Sequence, residues 1–127
     1  MKVKTSELQG AALDWAVAKC EDVPAVHIVL KPGKTCVYGE VDGVDFPYQP
    51  HTDWPQAGPI IAENRISILA RSFSGKSDWW ASAEPYDSDN EDDRIGYEAS
   101  DPLTAAMRCF VASKLGDEVD IPDELMS

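Results

Sequence analysis

Four prolines fall within fourteen residues: Pro47, Pro50, Pro55 and Pro59. Each fixes φ and removes a backbone donor, so no long helix or strand fits between residues 46 and 59. The same stretch holds Phe46, Tyr48 and Trp54. It reads as an ordered loop packed by aromatic side chains, with the regular elements on either side of it.

Before the loop, Leu8, Ala12, Leu13, Trp15, Ala16 and Cys20 recur at helical spacing. They predict a helix over residues 9–20, capped by Thr5 or Ser6, with Glu7 near the positive end of the dipole. Pro24 bars its extension. Residues 26–30 are apolar and β-branched, Pro32-Gly33 is a turn, and residues 35–41 return as a second strand. Asp42-Gly43 offers another tight turn.

After the loop, residues 58–64 predict a short helix with Pro59 at its first position and Asn64 near its end. Ile66, Ile68 and Ala70 alternate with Ser67 and Arg71, the period of a half-buried strand. Ser74-Gly75-Lys76 turns it, and residues 79–83 return antiparallel. The last helix has Asp101 as cap, Pro102 at its first position, Leu103, Met107, Phe110 and Val111 on one face, Lys114 near its end and Gly116 to stop it. Together these elements predict an α+β fold: an antiparallel sheet of about four strands packed against two main helices in a single two-layer domain.

Charge limits the partners. The 127 residues carry 11 Lys+Arg against 23 Asp+Glu, a net −12. Such a chain is a poor binder of phosphate backbones and of anionic membrane surfaces, so nucleic acid and membrane are not its expected partners. No apolar run approaches the ~20 residues of a membrane span, and no apolar stretch follows Lys2 and Lys4 as a signal peptide would require. The excess is local. Residues 84–101 hold eight acids and one base, and residues 117–127 hold five acids and no base. They read as an acidic loop, with Asp87, Asp89, Asp92 and Asp93 as an exposed acidic surface, and as an acidic C-terminal tail whose own Ile121, Pro122 and Leu125 can still dock. Three widely spaced cysteines, Cys20, Cys36 and Cys109, give no disulfide framework and suit reduced thiols in a cytosol.

No motif assigns chemistry. Residues 70–77 fit a relaxed phosphate-loop pattern, but the following residues are bulky and strand-like where that mechanism needs a helix N-terminus, so the segment reads as a hairpin turn. His27 reads as a sheet histidine. His51 precedes a turn that Thr52 or Asp53 can cap, or else serves as a base or ligand. No paired Cys or His spacing marks a zinc site, and no catalytic residue, metal or cofactor is assigned. Adjacent Trp79 and Trp80 point to opposite faces of a strand, one into the core and the other under a loop or at a partner surface.

Four blocks together resemble a known family. They are residues 5–21, Thr52-Asp53-Trp54 with Gly58-Pro59-Ile60-Ile61, Trp79-Trp80-Ala81, and residues 105–119. In this order they resemble the NinX-like proteins of tailed phages and prophages, a small family without an assigned function. The Gly-Gly associated with the second block is Ala57-Gly58 here. The resemblance implies a phage-encoded accessory protein in the cytoplasm of the bacterial host and supplies no catalytic residues.

The blocks suggest that Trp15, Trp54, the Pro59-Ile60-Ile61 turn, Met107 and Phe110 share one core, with an ion pair between Arg108 and Asp53. His51, Asp53, Trp54, Trp80 and Arg108 are the candidate interaction or cleft residues. The leading expectation is a non-catalytic protein-interaction module engaging a host or phage protein. Two alternatives stand beside it: a small-ligand protein or enzyme with a cleft near His51, Asp53 and Trp54, and an acidic mimic of DNA that fills a basic groove. A homodimer is compatible with any of them.

Overall fold

The computed structural model describes residues 1–31, 34–73, 76–83 and 96–125. In chain order these form β1 (Lys2–Lys4), a 3-10 turn (Thr5–Glu7), α1 (Gly10–Cys20), β2 (His27–Lys31), β3 (Lys34–Val41), β4 (Val44–Pro47), α2 (Trp54–Glu63), β5 (Ile66–Phe73), β6 (Lys76–Ala83), β7 (Gly96–Ala99), α3 (Pro102–Leu115), β8 (Glu118–Asp120) and a last 3-10 turn (Asp123–Leu125).

The rest of the molecule is arranged around α3. Its start and end are fixed locally: the Asp101 carboxylate accepts the Thr104 N–H at 2.9 Å, Pro102 sits where no backbone donor is needed, and Gly116 leaves the helix at φ 88°. Leu103, Ala105, Ala106, Met107, Cys109, Phe110 and Val111 are all buried, so the helix is covered over much of its surface. It packs on β5, β6 and β7 and also meets α1 and α2. Burying a side chain such as Phe110 or Met107 stabilises the fold by about 1.5–3 kcal/mol.

The fold is α+β, as expected, and its strands are divided over three antiparallel sheets with orders β1-β8, β2-β3-β4 and β5-β6-β7. A single sheet of four strands does not form, because α2 separates β4 from β5 and each side closes as its own meander. The β3–β4 turn is the predicted Asp42-Gly43, with φ of 53° and 79°. Positive φ at both positions suits the right-handed twist of a hairpin. Four strands lie where none was expected, β1 and β8 near the chain ends and β4 and β7 within the chain. β4 occupies the start of the proline-rich stretch, and β7 occupies part of the expected acidic loop. Pro47 ends an edge strand, where a missing donor costs no ladder bond.

The 117–127 tail is not simply acidic and solvated. β8 pairs with β1 in a register that sets Lys2 opposite Asp120 and Lys4 opposite Glu118. Opposite charges across a ladder each contribute roughly 0.2–1 kcal/mol. Val119 and Ile121 are buried beneath this pair. Thr5, expected as a cap for α1, instead donates from its hydroxyl to the Gly116 carbonyl at 2.6 Å, and its N–H donates to Asp117 at 2.7 Å. Gln9 holds the N-cap position of α1 without a side-chain bond.

Each meander contains a glycine covered by an aromatic ring. A Cβ on Gly39 of β3 would meet Phe46 Cζ at 2.5 Å and Val23 Cγ1 at 2.7 Å. A Cβ on Gly96 of β7 would enter the Trp80 ring. Gly58, inside α2, faces open space. Gly96→Ala is therefore expected to lower stability by about 1–3 kcal/mol through overpacking. Gly58→Ala should raise it by about 0.5–1 kcal/mol through helix propensity. Denaturant midpoints measure both, and an unchanged midpoint for Gly96→Ala would contradict the packing described.

Candidate functional site

The proline-rich stretch was expected to be loop throughout residues 46–59. It is a short turn between β4 and α2, because α2 begins at Trp54, four residues before the predicted start at Gly58. Pro55 fits in the first turn, where its missing N–H has no partner to lose. Pro59 lies inside the helix and breaks one ladder bond. Burial of Ala57 and Ile60 holds the helix together around it.

Two polar side chains pin the turn. The Gln56 carboxamide bridges it, accepting the Gln49 N–H at 2.7 Å and donating to the Pro47 carbonyl at 2.8 Å. From the other side, the Asp14 carboxylate of α1 accepts the His51 backbone N–H at 3.1 Å, and its second oxygen lies 2.6 Å from His51 Nδ1. The Asp14 side chain is 2% exposed and that of His51 is 23% exposed. Nδ1 makes no hydrogen bond of good alignment, so the 2.6 Å contact acts as an off-axis ion pair.

Burial raises the Asp14 carboxyl above its ordinary value, and the contacts with His51 oppose that rise. The side-chain contact with Asp14 raises His51, against a burial effect that lowers it; the Asp14 and Asp101 charges add to the rise. The pair thus holds its proton more tightly than the separate groups would.

The candidate residues divide between two places. His51, Asp53 and Trp54 share the turn into α2. Asp53 stands at the N-cap position of α2, but its side chain caps nothing. Trp54 was expected in the core and is 55% exposed, because the first turn of α2 carries it outward while Ala57 and Ile60 face inward. Trp80 and Arg108 meet elsewhere, at Glu98 of β7: Trp80 lies opposite Glu98 in the ladder, and Arg108 Nη1 donates to the Glu98 carbonyl at 2.7 Å. Arg108 Nε donates to the Leu8 carbonyl at 2.6 Å. The guanidinium therefore joins the segment before α1 to β7, and the expected Arg108–Asp53 ion pair does not form among the described residues. Burial lowers the Arg108 pKa, and the Asp101 charge works against that.

Asp14 was not singled out in the sequence, although it is the one charge within residues 11–18, otherwise all apolar. Gln56 carried no signal there. The hairpin reading of residues 70–77 agrees with the antiparallel pairing of β5 with β6. Asp87, Asp89, Asp92 and Asp93 lie outside the described residues.

A groove of about 460 Å³ runs beside the turn, lined by Phe46, Pro47, Gln49, Thr52, Asp53 and Gln56. His51 is not part of its lining. No described helix is long and apolar enough to cross a membrane. The protein is thus a small α+β domain with an open groove beside a rigid, buried-carboxylate turn. The chain belongs to the family described as Bacteriophage P22, NinX, whose model matches residues 4–114. The match places it in a phage protein family. No curated protein matches the chain.

The pair fixes a pH dependence. A raised His51 contributes stability that is fully present below its ordinary 6.5 and is lost as pH rises through the folded value. A raised Asp14 penalises the folded state as pH rises above 3.8, in the same direction. His51→Gln should cost about 1–3 kcal/mol near pH 6, since it removes the partner of a buried carboxylate. The gap to wild type should narrow toward pH 9. Urea titrations at a series of pH values test this, and a gap that widens with pH contradicts it.

Proposed function

We propose that the chain is a non-catalytic protein-interaction module that engages a host or phage protein in the cytoplasm of the bacterial host. The observation that carries this reading is Trp54, 55% exposed at the first turn of α2 and next in sequence to the groove residue Asp53. An exposed face of roughly 100 Å² on a tryptophan forgoes about 2.5 kcal/mol of burial, which a partner would supply. Tryptophan on a rigid support is a favoured anchor for such contacts. The support is rigid because Gln56 and Asp14 fix the turn from both sides.

A catalytic or small-ligand cleft at His51, Asp53 and Trp54 has weaker support. His51 is committed to Asp14 and does not line the groove.

Affinity enrichment from host lysate, with and without phage infection, compares wild type with Trp54→Ala. Leu69→Ala is the control, since Leu69 is 54% exposed on β5. A partner enriched by wild type and Leu69→Ala should be retained at least tenfold less by Trp54→Ala. No enriched partner, or equal retention by Trp54→Ala, contradicts the proposal.

A further inference from the structure

We propose that Asp14 and His51 form a proton-operated latch: while His51 is charged they hold residues 51–56, with Trp54, against α1, and loss of the His51 proton frees that segment while the core stays folded. The consequence for partner binding rests on the docking surface proposed above; the latch itself rests on the geometry of the pair.

The segment is a flap between two buried anchors. Pro50 before it and Ala57 after it are buried, whereas Thr52, Trp54 and Pro55 are exposed. Among the described residues, its polar tie to the rest of the molecule is Asp14, whose carboxylate accepts the His51 N–H at 3.1 Å and lies 2.6 Å from His51 Nδ1. The other hydrogen bonds of residues 51–56 stay between Pro47 and the end of α2: the Thr52 and Asp53 N–H groups donate to the Gln49 carbonyl, and the Gln56 carboxamide binds Gln49 and Pro47. They shape the flap without tying it to α1.

The contact with Asp14 works through charge. Nδ1 makes no well-aligned hydrogen bond to the carboxylate, so a neutral imidazole keeps little of the attraction. Asp14 is 2% exposed, and His51 is the group whose charge acts on it. Once His51 is neutral, Asp14 is a buried anion without a counter-charge, which is costly. Movement of the flap admits water to the carboxylate and removes that cost. So little of the flap is buried that the opening stays local.

The contact with Asp14 raises His51, so the latch is closed below 6.5 and opens as pH rises through the higher folded value. The rise of Asp14 acts in the same direction, penalising the closed form as pH climbs above 3.8. Asp101, at the N-cap of α3, adds to the rise of His51. Tyr48 stands in the same turn; burial raises its hydroxyl, and the Glu21, Asp14 and Cys20 charges add to that. Burial likewise pushes Cys20 up to about 11. Tyr48 and Cys20 thus titrate above the range in which His51 loses its proton. Asp53, on the flap itself, is the remaining charge nearby.

Amide exchange of the whole chain, corrected for the intrinsic rate at each pH, tests the latch alongside an NMR titration of the His51 ring. From near pH 6 to near pH 9 the His51 amide should lose protection at least about tenfold, at the midpoint of the ring titration, while Phe110 of α3 keeps its own. In His51→Gln, and in Asp14→Asn, which keeps an acceptor for the N–H at position 51, that pH dependence should disappear. Partner retention by wild type should fall at least about threefold over the same range and stay constant in His51→Gln.

Unchanged protection at His51 through its titration, an equal loss at Phe110, or the wild-type pH dependence in both variants would overturn the latch. If protection follows His51 but wild type retains the partner equally at both pH values, the regulation is wrong and the docking surface stands. If Trp54→Ala retains the partner, the docking surface is wrong, and the exchange data still decide the latch.

Discussion

A single buried carboxylate sets the geometry on which the candidate site depends. Asp14 lies on a helix whose neighbouring positions Leu13, Ala16, Val17 and Ala18 are buried, and it carries a charge into that apolar setting. A buried charge is tolerated only when it is paired and hydrogen-bonded. His51 supplies both, through its backbone N–H and its ring. The consequence is positional. The turn that leads into α2 cannot drift from α1 without exposing or orphaning the carboxylate. Asp53 and Trp54, two and three residues further on, inherit that fixed position.

The same economy of polar contacts recurs at the other joints. Arg108 uses two carbonyls, at Leu8 and Glu98, to hold the chain on either side of α3. Thr5 uses its hydroxyl and its N–H to close the first strand onto the end of α3. In each case a side chain or backbone group from a distant part of the sequence satisfies a group that regular structure leaves open. The sheets rely instead on packing, with a ring laid over a glycine in each meander.

What the sequence disclosed follows from range. α1 and α3 were legible because their signals are local: apolar spacing, Pro102 beside Asp101, and Gly116 at the end. The β2–β3 and β5–β6 pairs were legible from alternation and turn residues. The start of α2 was missed because four prolines outweighed the fact that a helix tolerates Pro55 in its first turn. β7 was hidden by the acids around it, though Ala99 packs in the core. The site was only half legible. His51, Asp53 and Trp54 stood out by type, but their organiser, Asp14, lies 37 residues from His51. The Arg108 contact to Leu8 spans 100 residues. No local pattern encodes such pairings, so Arg108 was matched to the wrong partner. Trp54 was placed in the core with Trp15, Met107 and Phe110 on the strength of the family blocks; the first turn of α2 instead carries it outward, 55% exposed.

Amide hydrogen exchange at His51 tests this account most directly. If Asp14 holds the turn, the His51 N–H should exchange as slowly in wild type as amides within α1. In Asp14→Ala, His51 and Gln49 should lose that protection while Phe110 and Val111 of α3 keep theirs. An unprotected His51 amide in wild type, or unchanged protection in Asp14→Ala, would contradict the claim that the buried carboxylate positions the site.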